Sequence, residues 1–515
     1  MKSSLTRNDI SFTRLLVGLE IHVELSTRSK MFTRVANPAC PGLEPPEPNT
    51  LVDPVVAALP GTLPVLNRRA VEMSVMVGMA LECSISPHSK WDRKNYSYPD
   101  LPKGYQISQF DLPLCFDGVL KIPSSSSTSD EGHRTIGIIR AHLEEDTGKL
   151  GHELPGGGTH AGSLLDLNRA GTPLLEIVTE PDFDCADDVV TFARELRSIC
   201  RFLGVTQGDM QRGHMRFEPN INVIINTHDG REYRTPVVEV KNLNSFKSVH
   251  AAIEYEHGRQ IEEFLETGRV MGMGMKSTRG WNDQRLVTVM QREKEDAHDY
   301  RYFPDPDLIP VEIDSEWEAR IRAELPELPA SRRARYEHSF GISKDDAKLL
   351  VDEREVSLLF EHAVDQSVQA GASAKDAAQE TSKIILNQLS RRANEMKVPI
   401  HTAGIDSRHL AEVVQLRLSG ELGAQSVERL FELVSGGGEG ARALAESHGL
   451  LVVRDEDAVE GWIEEAIAAQ PKAAEDVAAG KDAAIGRLVG HVMKISAGQA
   501  DASEISKRLF GRLRP

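Results

Sequence analysis

Val17-Gly18-Leu19-Glu20-Ile21-His22-Val23-Glu24-Leu25 alternates without a break. Side chains of an extended chain have a period of two. Val17, Leu19, Ile21, Val23 and Leu25 therefore share one face, and Glu20, His22 and Glu24 share the other. The apolar row predicts a strand packed on a core. The polar row has two readings. Such rows are common as the solvated face of an antiparallel sheet. They can also hold a divalent cation once other elements bring more oxygen ligands.

Outward from this stretch the theme repeats. Ile136 to Leu143 reads as a strand that delivers Glu144-Glu145-Asp146. Leu174 to Asp182 gives a strand with Glu176 and Glu180 on one face. Met215 to Val223 carries Glu218, Asn220 and Asn222 beside Arg216, and Pro219 within it suggests an edge strand or a bulge. Val237 to Lys241 puts Glu239 and Lys241 on one face. Helical periodicity covers Val71 to Leu81, Asp187 to Leu203 and Phe246 to Glu266. Short connections between strands favour an α+β fold, with a largely antiparallel sheet and helices on its other face. From Leu325 onward the pattern is helical. The expected domains are a strand-rich unit over 1–310, a helical domain over 311–404 and a helical tail over 405–515.

Loops carry distinct compositions. Ala36 to Pro64 is rich in Pro and Gly. Arg93 to Tyr105 is dense in cations and aromatics, which suits a surface turn or a substrate-facing loop equally. Ser124 to Ser127 reads as a hairpin tip, and Ser435 to Gly440 as a linker.

At 515 residues the chain is too long for one core. No apolar run approaches the roughly 18 residues a membrane helix needs, and Met1 to Arg14 lacks the apolar stretch of a signal peptide. The 5 cysteines are scattered without a C-x-x-C pair, so free thiols and a cytoplasmic setting are expected. A net charge of -18 argues against non-specific coating of nucleic acid. It leaves room for a local basic surface. Lys494, Lys507, Arg508 and Arg512 form one such candidate near the C-terminus, as a solvated face or as phosphate contacts.

The chain has no G-x-x-x-x-G-K-[ST], and Met271-Gly272-Met273-Gly274-Met275 is no nucleotide fingerprint. No G-x-S-x-G or other nucleophile motif occurs. If ATP is used, it must be gripped through metal ions on a polar sheet. The expected metal set is Glu20, His22, Glu145 and Glu176 on one sheet face. Oxygen ligands favour Mg²⁺ or Mn²⁺ over zinc, and His22 suits Mg²⁺ poorly enough that it can equally stand behind the ligands.

Several longer blocks resemble the B subunit of the glutamyl/aspartyl-tRNA amidotransferase. These are Val17 to Leu25, Arg93 to Gln109, His142-Leu143-Glu144-Glu145-Asp146-Thr147-Gly148-Lys149 and Asn168-Arg169-Ala170-Gly171-Thr172-Pro173-Leu174-Leu175-Glu176-Ile177-Val178. Glu239 to Phe246, Thr278-Arg279-Gly280-Trp281, Asp299 to Leu308 and Ile485 to Lys494 continue the series. The resemblance implies a cradle related in fold to glutamine synthetase, then all-helical domains, the last of which holds tRNA. It implies ATP-dependent conversion of Glu-tRNA(Gln) or Asp-tRNA(Asn) to the amide. Ammonia would come from the amidase, or A, subunit. The complex would also hold a small C subunit. Within it, Lys94 and Lys103 would line the ammonia route, with Glu145 at its end. Arg216, Asn220 and Lys241, from their strand faces, are expected to meet the nucleotide. Some members bind zinc through cysteines; here Thr33, Val35, Asp53 and Val56 stand in those places, so no zinc is expected. Gln211 and Arg212 replace acidic residues of many relatives. The alternatives are a non-catalytic tRNA-binding scaffold and the archaeal glutamine-tRNA-specific paralogue.

Overall fold

The computed structural model describes residues 5–124, 132–153, 158–272, 275–293, 300–434, 438–452, 456–496 and 499–514. Ser125 to Ser127 of the hairpin tip, Met273 and Gly274, and Ser435 to Gly437 of the linker lie outside them. The chain divides into two compact units, Met1–Leu328 and Pro329–Pro515.

The first unit is built on a ten-stranded sheet. Its strands are β1 (Ile10–Glu24), β2 (Ser84–Ile85), β3 (Cys115–Pro123), β4 (His133–Glu145) and β5 (Pro173–Thr179). They continue as β6 (Met215–Thr227), β7 (Glu232–Arg234), β8 (Val238–Lys241), β9 (Ser277–Asn282) and β10 (Val287–Glu293). The order across the sheet is β10-β9-β8-β6-β1-β5-β4-β3-β2, with β7 paired to β6. Among the described pairings only β8–β9 is parallel.

β1 lies in the middle, between β6 and β5, and its apolar row is fully buried. Three helices cover that side: α1 (Arg68–Ala80), α2 (Ala186–Phe202) and α3 (Phe246–Thr267). Val75, Phe192, Leu196 and Ile253 join Val17, Leu19 and Ile21 in one core. The helix ends follow local chemistry. Asn67 caps α1 by accepting from the N–H groups of Arg69 and Ala70. Gly268 ends α3 in the left-handed region at φ +69°, where a β-carbon is disfavoured.

Two local expectations change. Pro219 sits in a central strand, neither at an edge nor in a bulge: it faces Leu19 in an unbroken register. The ladder from β6 to β8 consists of Asn220↔Glu239 and Ile221↔Val238, so it stops just before Pro219 and no donor is missed there. The second change is in β4. Its register against β5 shifts between Ile138 and Arg140, leaving Ile139 as an extra residue. Ile136 and Ile138 point into the core before this bulge, and Ala141 and Leu143 after it. The phase of the alternation therefore flips.

The first unit reaches beyond residue 310. Helix α4 (Ser315–Ala323) belongs to it, and Ile313 and Ile321 lie in its core. In the second unit the helices on both sides of residue 404 pack together, Arg354–Gln369 against Ser407–Leu418. The helices within Glu456–Leu513 enclose a separate core of Ile463, Val477, Leu488, Val492, Ile505 and Leu509. Among the described residues no helix is long and apolar enough to cross a membrane.

Candidate functional site

The sheet face opposite α1–α3 carries a row of charges that runs across five strands. Register alone aligns it: Glu20 faces Glu218, His22 faces both Arg216 and Glu176, Glu176 faces His142, and Asn220 faces Glu239. This is the polar row of β1 continued sideways, since strands in register keep one parity on one face.

Two groups of potential ligands stand out. In the first, one ligand atom each from His22, Glu144 and Glu176 lies within 4.8 Å of the others. His22 Nε2 is 3.4 Å from Glu176 Oε2, and His142 Nε2 is 3.6 Å from the same oxygen. The Ser108 hydroxyl donates to Glu144 Oε2 at 2.9 Å. Arg140 Nε donates to His142 Nδ1 at 3.4 Å, which turns the other ring nitrogen toward Glu176. In the second group Glu20, Glu218 and Glu239 are equally close. There Lys241 Nζ lies 2.6 Å from Glu218 and 3.4 Å from Glu239, and Asn220 donates to Glu20 at 3.0 Å.

Burial and neighbouring charge act differently on each member of the first group. Burial raises Glu144, and the charge of Glu176 raises it further, to about 7. Burial would also raise Glu176, yet His142, His22 and Lys94 hold it well below the usual carboxylate range. Burial opposes charge on His22, but its hydrogen bond with Glu176 and the charge of Glu218 bring it to about 9. His22 Nδ1 is buried without a hydrogen-bond partner, and Glu218 Oε1 is 4.0 Å away. Two carboxylates and one imidazole, whose Nδ1 has no hydrogen-bond partner, form a buried donor set that fits Mn²⁺, and fits Mg²⁺ if the imidazole stands behind the carboxylates. A bound cation would reverse the local proton preferences.

The structure does not bring the expected set of Glu20, His22, Glu145 and Glu176 together: only His22 and Glu176 share a group. Glu20 belongs to the neighbouring group. Glu144, not Glu145, lies beside His22 and Glu176, because the Ile139 bulge moves Glu144 onto the polar face and turns Glu145 the other way. The Glu145 carboxylate takes Lys103 Nζ at 2.5 Å and the Ile107 N–H at 3.0 Å. This pair lines a small pocket together with Phe32, Val56, Asp146 and Ala170. Lys94 lies on the polar side instead, in the field of Glu144 and Glu176, which outweighs its burial and keeps it charged.

Arg216 joins the two sides. It binds Asp146, a pocket residue, and reaches Glu24 at 3.6 Å, while its Nε is buried without a hydrogen-bond partner. Arg216, Asn220 and Lys241 all lie on the polar face, each bound to an acid. At the four positions set against zinc-binding cysteines, Thr33 donates to Asp53, and Val35 and Val56 have aliphatic side chains. Gln211 and Arg212 are exposed in a turn whose N–H groups donate to Asp209. Near the C-terminus Lys494 and Lys507 are exposed. Arg508 and Arg512 are both engaged by Glu460, Arg508 also by Glu504 and Glu456, and Arg512 also by Glu464.

The comparisons with known proteins agree with one another. Residues 15–319 match the family model described as the GatB/GatE catalytic domain, and residues 362–513 match the GatB domain. The B subunit of aspartyl/glutamyl-tRNA(Asn/Gln) amidotransferase from Thermomicrobium roseum is 42% identical over 495 residues, covering 96% of this chain and 97% of that protein. Its namesake from Thermosynechococcus vestitus is 43% identical over 506 residues, covering 97% and 96%. The one from Rhodopirellula baltica is 42% identical over 480 residues, covering 93% of each chain. A sheet with its acids gathered on one face, and matches that run the length of the chain, lead to one conclusion: the chain belongs to the family of the B subunits of aspartyl/glutamyl-tRNA(Asn/Gln) amidotransferase.

Proposed function

We propose that the polar face activates the side-chain carboxylate of a misacylated tRNA with ATP and completes amidation with ammonia from an amidase subunit. The supporting observation is the buried group His22, Glu144 and Glu176 with Lys94 beside it. A carboxylate resists attack by ammonia. Transfer of the γ-phosphoryl group of ATP to it forms an acyl phosphate and releases ADP. Ammonia then displaces phosphate and leaves the amide.

His22, Glu144 and Glu176 would hold Mg²⁺ or Mn²⁺, whose charge neutralises the phosphoryl oxygens during transfer. Lys94 adds fixed positive charge next to the acyl group, where negative charge develops. The Lys103–Glu145 pair and Asp146 form a polar passage in which ammonia stays hydrogen-bonded, with Arg216 as the link to the polar face. This reading includes a cradle related to the glutamine synthetase fold, cytoplasmic location, the amidase and a small C subunit as partners, and no bound zinc.

The reconstituted complex should hydrolyse ATP only with both Mg²⁺ and misacylated tRNA present; hydrolysis indifferent to the tRNA would end the proposal. Arg216, Asn220 and Lys241 are assigned to the nucleotide. Each change to Ala should raise the KM for ATP about tenfold or more, as for a lost charge-assisted hydrogen bond. Unchanged ATP dependence in all three would remove that assignment.

In the tail, Lys494 and Lys507 are the better placed for RNA phosphates, because Arg508 and Arg512 already face glutamates. Replacing both lysines by Ala should weaken tRNA binding and lower its log–log salt slope by about 1–2. Binding that keeps its salt slope would exclude them.

A further inference from the structure

We propose that Phe110 and Tyr302 form the platform on which the 3′-terminal adenosine of the aminoacyl-tRNA stacks while its amino-acid side chain reaches the acids. This rests on the reading of the polar face as the acyl-activating site.

The two rings are stacked, with centroids 4.4 Å apart and planes 10° from parallel. Phe110 is 51% exposed, so a large apolar ring is held out of the core. Its placement is built. The Phe110 N–H donates to Asp92 at 3.2 Å, and the preceding Gln109 accepts from the Leu143 N–H at 3.0 Å. Ser108, two residues away, donates to Glu144, which ties this run of chain to the candidate metal group.

Tyr302 is fixed from its own side. Asn95 Nδ2 donates to the carbonyls of Tyr300 and Arg301 at 3.2 and 2.8 Å. Arg301 is held at φ +45°, a left-handed conformation that a residue with a β-carbon seldom adopts. Tyr300 stands edge-on to Tyr302, with centroids 6.1 Å apart. The Lys94 ammonium lies 5.1 Å from the Tyr300 ring centroid. A stacked pair with Phe110 exposed and Tyr302 half-buried, set beside a charged lysine and a buried acid group, suits a nucleobase attached to an acyl group.

The position on the sheet favours the tRNA adenosine over the adenine of ATP. Lys241 lies on β8 and Glu144 on β4, four strand intervals apart, or roughly 19 Å. The residues assigned to ATP lie on β6 and β8, whereas the run that holds Phe110 is tied to Glu144 and Leu143 of β4. In-line phosphoryl transfer needs donor and acceptor on opposite sides of the moving group.

The test uses the reconstituted complex and misacylated tRNA whose terminal adenosine is replaced by fluorescent 2-aminopurine. Binding to the unaltered complex should quench the fluorescence, and Phe110→Ala should abolish the quench. Phe110→Ala should raise the KM for misacylated tRNA about 5- to 100-fold, as for a lost base–aromatic stack. Phe110→Trp should restore both. A quench and tRNA KM unchanged in Phe110→Ala would overturn the platform while leaving acyl activation standing. A rise in the KM for ATP with the tRNA KM unchanged would also overturn it, by assigning the rings to ATP. An unaltered complex that consumes no ATP with misacylated tRNA would sink both readings.

Discussion

Glu144→Gln lowers Mn²⁺ affinity by more than about a hundredfold and stops tRNA-dependent ATP turnover, while the metal-free protein melts a few degrees higher. The two effects have one cause. Partners behind metal ligands are worth about 10–100-fold, so a direct carboxylate ligand exceeds that range. Without the cation, the same carboxylate is buried against Glu176 and titrates near 7. A carboxyl group raised above its unfolded value of 4.5 destabilises the fold at pH values above about 7. That penalty fades as the pH falls and is absent below the unfolded value. Glu144→Gln should therefore raise the metal-free melting temperature at pH 8 and leave it nearly unchanged at pH 4. The hydrogen bond from Ser108 can be kept by the amide oxygen. Calorimetric metal titration and thermal melts at both pH values check this. A variant that binds Mn²⁺ as the unaltered chain does would remove Glu144 from the site.

The second large effect is expected at Lys103. Its ammonium meets Glu145 at 2.5 Å, and the Glu145 side chain is only 4% exposed. Lys103→Met leaves that carboxylate buried with the Ile107 N–H and without its ion-pair partner. Breaking a buried pair from one side costs about 3–5 kcal/mol, or on the order of 5–10 °C in melting temperature for a unit of this size. Replacing both partners, Lys103→Met with Glu145→Gln, should recover most of the loss, since no buried charge is then stranded. Amidation with glutamine as the nitrogen donor should fall in Lys103→Met more than amidation with added ammonium salt. Equal loss with both donors would count against a passage at this pocket, and an unchanged melting temperature would count against a buried pair.

The sequence made much of this visible, and the exceptions have physical causes. The alternation of Val17 to Leu25 marked β1 as a strand with opposed faces. The acids of β1, β5, β6 and β8 could each be set on a polar face by counting in twos. Counting failed in β4, because the bulge at Ile139 is set by pairing with β5 and leaves no mark in composition. It exchanged Glu144 for Glu145. His142 and Ser108 were missed because each matters only through contact with a distant strand or acid. Pro219 misled for the opposite reason. Its lost donor looked like an edge, but the place where β8 stops pairing is a property of three strands together. The basic cluster at Arg508 and Arg512 looked free because three of its glutamates, Glu456, Glu460 and Glu464, lie about fifty residues earlier, on the helix Glu456–Ala469, while the fourth, Glu504, sits one turn before Arg508.

Locating Mn²⁺ by anomalous diffraction from crystals of the complex bears most directly on the proposed chemistry. The ion should lie between His22, Glu144 and Glu176 on the polar face, and its peak should vanish in Glu144→Gln. Manganese bound instead by Glu145, or by the Asp184, Cys185 and Asp188 group with none at His22, would contradict it.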